Sequence, residues 1–316
     1  MTWRDGVHIT GTPIWCDARR RRDVCFLSSA DRVARTGHGQ LIATPITLAL
    51  LGVRDQGHLA VPLRQRFTLG TLRLELIPSG RGFGAAALHV DIAGKTVLYA
   101  GAVRTTAGGA SDAGELRTSD AVVVAAPYGE AHHRFPPLGA AIDAALDWTR
   151  TTLAAERRPI LIADSVLDGL EIATRLAAAG IPVAGGRALR EAAQRIADLV
   201  PGNAIPAITA PGREPRAVVW LEAERTSLSR AIADKPAATA LVSARALAGP
   251  GGHDAAFAWA SAADRAQLLG WIEATGAREV FVTGPCAEAI VSALGGRARM
   301  IGPPQQMSLF PGEAAT

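Results

Sequence analysis

Cys25-Phe-Leu-Ser-Ser-Ala-Asp-Arg-Val-Ala-Arg-Thr-Gly-His-Gly39 runs, after Gln40, into Leu-Ile-Ala-Thr-Pro45. It reads as a short apolar strand over 24–28, then a polar, arginine-bearing loop closed by Gly37-His38-Gly39. A further apolar run leads into a helix over 45–51, with Thr44 as its cap and proline at its first position. Outward from this stretch, brief β-rich runs at 7–10 and 13–17 precede it, and runs at 59–63, 72–77, 86–92 and 97–100 follow. Leu72-Leu74-Leu76 and Leu88-Val90-Ile92 alternate at period two, as half-buried antiparallel strands do.

From residue 120 the texture changes. Continuous apolar runs at 121–126, 159–163 and 181–184 alternate with helical patterns at 138–153, 167–179 and 189–200, the beat of an α/β unit with parallel crossovers. A looser stretch over 201–216 precedes a strand at 217–221. A strand at 240–243, a helix at 262–274, a strand at 279–283, a helix at 286–294 and a closing run at 297–301 complete the pattern.

The chain has 316 residues, 48% hydrophobic and 20% charged, with a mean hydropathy of +0.17. That composition suits a folded soluble protein and excludes a disordered chain. Three cysteines, Cys16, Cys25 and Cys286, cannot build a four-cysteine zinc site or a disulfide framework. No basic-then-apolar leader and no run of about 18 apolar residues is present, so a cytoplasmic protein away from the membrane is expected. Net charge is +4, almost all of it arginine, because Lys95 and Lys235 are the only lysines. The one dense run is Arg19, Arg20, Arg21 and Arg22. It reads either as a grip on a phosphate backbone or as a solvated turn between strands.

The 25–45 stretch resembles the metal-binding loop of the metallo-β-lactamase superfamily, and most nearly that of the β-CASP nucleases in their bacterial DNA ligase-associated exonuclease branch. There the loop reads His-x-His-x-Asp-His, then Ala-Arg-Pro-Gly-(His/Ser)-Gly and a strand into Ala-Thr-Pro-Glu-Thr. Further stretches run in register. Leu76-Ile-Pro-Ser-Gly-Arg-Gly-Phe-Gly84 resembles the family's Pro-Ala-Gly-His turn, and Val97-Leu-Tyr-Ala-Gly-Ala-Val-Arg-Thr105 its Ser-Gly-Asp strand end. Val124-Ala-Ala-Pro-Tyr-Gly129 with Arg134-Phe-Pro-Pro137 resembles Glu-Ser-Thr-Phe-Gly then Arg-Trp-Pro-Pro. Val280-Phe-Val-Thr-Gly284 resembles Val-Phe-Val-Thr-His-Gly. The resemblance covers roughly 5–302. It implies an α/β fold: an αββα sandwich with an inserted β-CASP-like α/β domain. The divisions implied are 1–125 for the first part, 126–238 for the insert, 239–302 for the return and 303–316 for a flexible tail.

The family uses two metal ions to make a hydroxide and clamp a phosphodiester, held by imidazole and carboxylate ligands. Laid on this sequence, the loop ligands fall on Ser28, Ala30, Arg32 and Val33, and the turn histidine on Arg81. The bridging aspartate falls on Ala102, the later carboxylate–histidine pair on Ser261 and Ala262, the final histidine on Gly284, and the insert's acidic strand-end residue on Ala125. Arg32 and Arg81 would put fixed cations where a divalent ion belongs. The resemblance therefore implies a catalytically degenerate member, with no metal and no cofactor. Arg32 and Arg81, with the run from Arg19 to Arg22, become candidate contacts for DNA phosphate in the former groove.

Other candidates are thinner. Asp17 matches a family aspartate at a strand end, and Asp31, Asp264, His38 and His58 are further polar side chains. A structural role beside the glycine turn is expected for His38, and a surface or packing role for His132 and His133. Gly80-Arg81-Gly82-Phe83-Gly84 lacks the spacing of a dinucleotide loop and reads as a tight turn. Gly-x-Ser-x-Gly is absent, and no cysteine has a histidine near it in sequence.

Gln306-Met307-Ser308-Leu309-Phe310 resembles the bacterial sliding-clamp-binding motif Gln-Leu-(Ser/Asp)-Leu-Phe. In such a ligand Gln306 meets a polar sub-site while Met307, Leu309 and Phe310 fill apolar pockets. Flanking Pro303-Pro304 and Pro311-Gly312 keep the segment extended. A segment folded back onto its own domain is the alternative. The function expected is a non-catalytic DNA-repair or replication adaptor recruited to the clamp, with DNA and an active paralogue or other repair protein as further partners. The alternative is an active metal-dependent exonuclease or phosphodiesterase with an atypical site.

Overall fold

The computed structural model describes residues 1–31, 37–53, 57–106, 111–212, 214, 216–231 and 236–303. The first strands are β1 (Thr2–Trp3), β2 (Val7–His8), β3 (Ile14–Cys16), β4 (Val24–Phe26), β5 (Gln40–Ala43) and β6 (Leu59–Ala60), which lie side by side in chain order. β1, β2 and β3 pair antiparallel, and β3 through β6 parallel. Helix α1 (Pro45–Leu50) leaves β5 where Thr44 caps it, the hydroxyl accepting from the Thr47 N–H at 3.1 Å.

A second sheet begins with β7 (Arg66–Leu69), β8 (Leu72–Pro78), β9 (Ala86–Ile92) and β10 (Lys95–Ala102), all antiparallel, and continues into β11 (Ala121–Ala125), parallel to β10. The period-two pattern sets its packing. Leu72, Leu74, Leu76, Leu88 and Val90 bury against Val7, Ile9, Ile14, Phe26 and Ile42, so the two sheets lie face to face.

After β11 come α2 (Leu138–Ala154), β12 (Arg158–Ala163), α3 (Val166–Ala178), β13 (Val183–Gly185), α4 (Arg187–Ile196), β14 (Ala217–Leu221), α5 (Arg225–Ala231), β15 (Ala237–Ser243) and β16 (Ala255–Ala258). Their strands form a wholly parallel sheet in the order β13-β14-β12-β15-β16. β12 is buried on both faces, with Leu161 and Ala163 in one core and Ile160 and Ile162 in another, which is why its sequence is unbroken and apolar. The chain then returns through α6 (Arg265–Ala274), β17 (Glu279–Thr283), α7 (Ala287–Leu294) and β18 (Ala298–Met300). β17 inserts beside β11, and β18 follows at the edge.

Leu268, Trp271 and Ile272 of α6 and Ala287 and Ile290 of α7 cover the outer face of the second sheet, while Leu48 of α1 covers Cys25 and Leu41 on the first. The layers therefore run helix, sheet, sheet, helices, with a separate α/β unit inserted between β11 and β17. The architecture is α/β, as the texture of the chain implies.

The division expected at residue 239 moves. β15 pairs with β12 from Arg158↔Ala237 to Ala163↔Val242, and β16 extends the same sheet, so the chain leaves the insert only after Ala258. Strands 66–69 and 255–258 and helix 225–231 were not anticipated, and α6 begins at Arg265 instead of 262 because Asp264 caps it. Among the described residues no helix is long and apolar enough to cross a membrane.

Candidate functional site: a cleft closed by buried arginines

The positions singled out by the metal-loop resemblance gather at the carboxyl ends of the parallel strands. Ala102 pairs with Ala125, and Ala125 with Thr283, so Ala102, Ala125 and the residue before Gly284 stand side by side across the second sheet. Ser28 follows β4 and lies against the same edge, since a Cβ on Gly101 would sit 3.0 Å from its hydroxyl. Ala30 packs on the insert's core. Ser261, just beyond β16, shares a 3.0 Å hydrogen bond with the Tyr128 hydroxyl beyond β11, and Ala262 is buried. Arg32 and Val33 lie outside the described residues, as do 306–310.

Ser28, Gly284 and Arg81 are each tightly constrained by their neighbours. Ser28 is consumed by Asp17: its backbone N–H donates to one carboxylate oxygen at 2.8 Å and its hydroxyl to the other at 2.6 Å, where the Tyr99 hydroxyl also donates at 2.8 Å. Asp17 is buried and held at a left-handed φ of 47°, an uncommon state for a residue with a Cβ. Gly284 has φ of 103°, and a Cβ there would stand 2.9 Å from the Ala126 carbonyl oxygen, so no side chain fits without a backbone shift.

Arg81 is the centre of the arrangement. It sits in the turn between β8 and β9 and donates to both carboxylate oxygens of Asp168, at 3.0 and 3.2 Å, and to the Ser165 hydroxyl at 3.1 Å. Asp31 approaches it at 2.5 Å. The three side chains are only 11%, 14% and 5% exposed for Arg81, Asp31 and Asp168. Asp168 also receives the Ser165 hydroxyl at 2.6 Å and the Trp259 indole N–H at 3.3 Å. Burial alone would lower the Arg81 pKa, but Asp168 and Asp31 outweigh it and hold the guanidinium charged. Burial pushes the Asp31 carboxyl upward, with Asp168 adding to the rise and Arg81 opposing it.

A second pair lies beside the first. Arg104, after β10 and 1% exposed, forks onto Glu171 at 2.7 and 2.6 Å and donates to Ser111 at 2.8 Å. Asp168 and Glu171 stand three apart on α3, so they share one face. That face of the insert is thus tied to the host by two guanidinium forks, the strongest geometry for such pairs. The expectation that Arg81 contacts DNA phosphate is corrected: its donors are turned inward and taken by two carboxylates. Neither Arg104 nor its partner was singled out from sequence. The signal available was the pair of acids at i, i+3 within the apolar run Leu167-Asp-Gly-Leu-Glu-Ile172.

His38 accepts the Arg22 backbone N–H at 3.1 Å, the structural role expected of it. His133 accepts the N–H groups of Gly129 and Glu130, both at 3.2 Å, meets Tyr128 edge to face and lies parallel to Phe135. Folding brings its ring within 3.9 Å of the Cys286 sulfur, a proximity absent from the sequence. Burial nevertheless pushes the Cys286 thiol up and His133 down, which opposes a thiolate–imidazolium pair. Among the described residues no group of three or more His, Cys, Asp or Glu side chains could hold a metal ion. Arg19, Arg20, Arg21 and Arg22 lie on the loop joining β3 to β4, and none of their side chains joins the Arg81 and Arg104 pairs.

No family model matches the chain, and no curated protein matches it. Among solved structures it is similar to the crystal structure of a protein of unknown function from Enterococcus faecalis V583. The TM-score is 0.56 and the identity 12%, over 89% of this chain and 79% of that one. The likeness is one of fold.

Proposed function

We propose that this chain is a non-catalytic relative of the metallo-β-lactamase-fold β-CASP nucleases, serving as an adaptor that its 306–310 segment recruits to the bacterial sliding clamp. The fold half of the proposal rests on the face-to-face sheets with helices outside them and an α/β unit inserted between β11 and β17. The observation that carries the silent cleft is Arg81. A permanent cation, saturated by Asp31 and Asp168, fills the turn where the resembling nucleases carry a histidine ligand. A guanidinium so paired neither binds a divalent ion nor activates water. The groove half of the sequence expectation, in which Arg81 grips DNA, is not carried forward.

Two measurements test the proposal. Purified chain assayed for bound Zn and Mn and for nuclease activity on labelled DNA is expected to give neither; stoichiometric metal together with hydrolysis would overturn the silent cleft. For recruitment, the full chain is expected to bind immobilised bacterial clamp at roughly micromolar Kd, since ordering a short peptide offsets much of the gain from three buried side chains. Removal of 306–310 should abolish binding, and equal binding without the segment would refute the recruitment.

A further inference from the structure

From a different part of the molecule we infer that the corner formed by the β1–β2 turn and the β3–β4 loop is a nucleic-acid backbone-binding surface. Arg4, Arg19, Arg20 and Arg21 are exposed there, and Arg22 is half-buried beside them. Five arginines stand beside only two carboxylates that are not buried, the half-buried Asp5 and the exposed Asp23, a surplus of three in a chain whose whole net charge is +4. The third aspartate of the segment, Asp17, is buried and bonded to Ser28 and Tyr99.

The surface is fixed in shape. The Arg19 N–H donates to the Asp5 carbonyl at 2.6 Å, joining the loop to the turn. The Arg22 guanidinium carbon sits over Trp15, 3.8 Å from the ring centroid, and the group donates to the Arg4 carbonyl. Its backbone N–H donates to His38 and its carbonyl accepts from Gly39. With Arg22 held inward, Arg19, Arg20 and Arg21 project from an ordered loop. Arg20 has one partner, Asp5 at 2.8 Å, with the arginine side chain 75% exposed. A pair that open contributes little and yields readily to phosphate. Guanidinium groups present fixed forks suited to phosphate oxygens.

Phosphate on nucleic acid fits better than phosphate on lipid. The exposed large apolar side chains among the described residues are Leu116, Leu199 and Met300, none of them in this segment, so nothing here would enter a bilayer. The inference needs neither the clamp nor the 306–310 segment.

The test is fluorescence anisotropy with the full chain alone, on a labelled 30-mer single strand and the matching duplex, between 50 and 200 mM salt, with liposomes of 30% phosphatidylserine in parallel. Wild type is expected to bind nucleic acid with a slope of log K on log salt of about −3 to −4, one per exposed arginine. R19A/R20A/R21A should flatten the slope by about 3 and weaken binding at low salt by roughly tenfold or more. Its melting curve should match wild type, since all three side chains are exposed. A control, R150A/R187A, removes arginines 53% and 81% exposed on the insert and should leave the slope unchanged. An unchanged slope in the triple variant, no binding of either strand form at 50 mM salt, or arginine-dependent binding to the liposomes alone would overturn the inference.

Discussion

Arg81 shows how one buried side chain can set the charge of its surroundings, with Asp31 and Asp168 both drawn onto it. Its substitution by methionine would strand Asp31 and Asp168 as buried charges. A loss of about 3–5 kcal/mol in urea unfolding is expected, the usual consequence of breaking a buried pair from one side. Asp31 adds a pH signature. Its carboxyl, raised by burial, binds a proton more readily folded than unfolded. Its stabilising share is therefore full below about pH 4 and lost as pH rises through the raised value. Asp31→Asn should gain on wild type as pH rises above about 4, read as the difference in unfolding free energy. A wild-type advantage that grows with pH would mean the Arg81 attraction outweighs burial. Arg81 itself was legible in the sequence as a lone cation inside the glycine-rich turn Gly80-Arg81-Gly82-Phe83-Gly84. Its partners were not, because Asp168 lies 87 positions further along the chain and only the tertiary fold brings it there.

Among elements, α3 carries the most. Its two acids make the insert's grip on the host. Arg104→Met should cost about 3–5 kcal/mol, whereas R104M/E171L should recover most of that loss, since an apolar pair of similar volume replaces the buried ions; denaturant melts of the two variants beside wild type check it. The turn that delivers Arg81 is equally constrained. A Cβ on Gly80 would fall 2.0 Å from the Arg104 carbonyl oxygen at φ of 79°, so Gly80→Ala should lower the melting temperature by at least several degrees. The cap of α6, which falls inside the helix expected from sequence, is Asp264-Arg-Ala-Gln267, a capping box in which the side chains of both end residues accept backbone N–H groups, at 2.9 and 3.2 Å. Asp264→Ala should cost about 1 kcal/mol in the same melts. β16 was hidden because Ala-Ala-Phe-Ala neither alternates nor favours strand. It forms because β15 offers a free edge and Phe257 meets Trp148, ring centroids 6.0 Å apart.

At the scale of the whole molecule, the insert is a continuous stretch of chain while its host is not. Alternating leucines in the first third and the strand–helix beat after residue 120 made both units legible, but where the chain passes back between them is decided by strand pairing, which composition does not mark. β17 belongs between β11 and β18, so one side of the second sheet is completed by residues 279–300, far along the chain from β11. On the ribosome, the insert can therefore finish folding while β11 still has an open hydrogen-bonding edge and the core behind it lacks Phe281, Val280 and Val282. A nascent chain stalled soon after residue 260 should show a protease-resistant insert flanked by a cleavable amino-terminal third. Resistance should reach that third only when about 40 further residues have emerged, which makes this host the late-maturing half of the protein and the one most dependent on chaperones during synthesis.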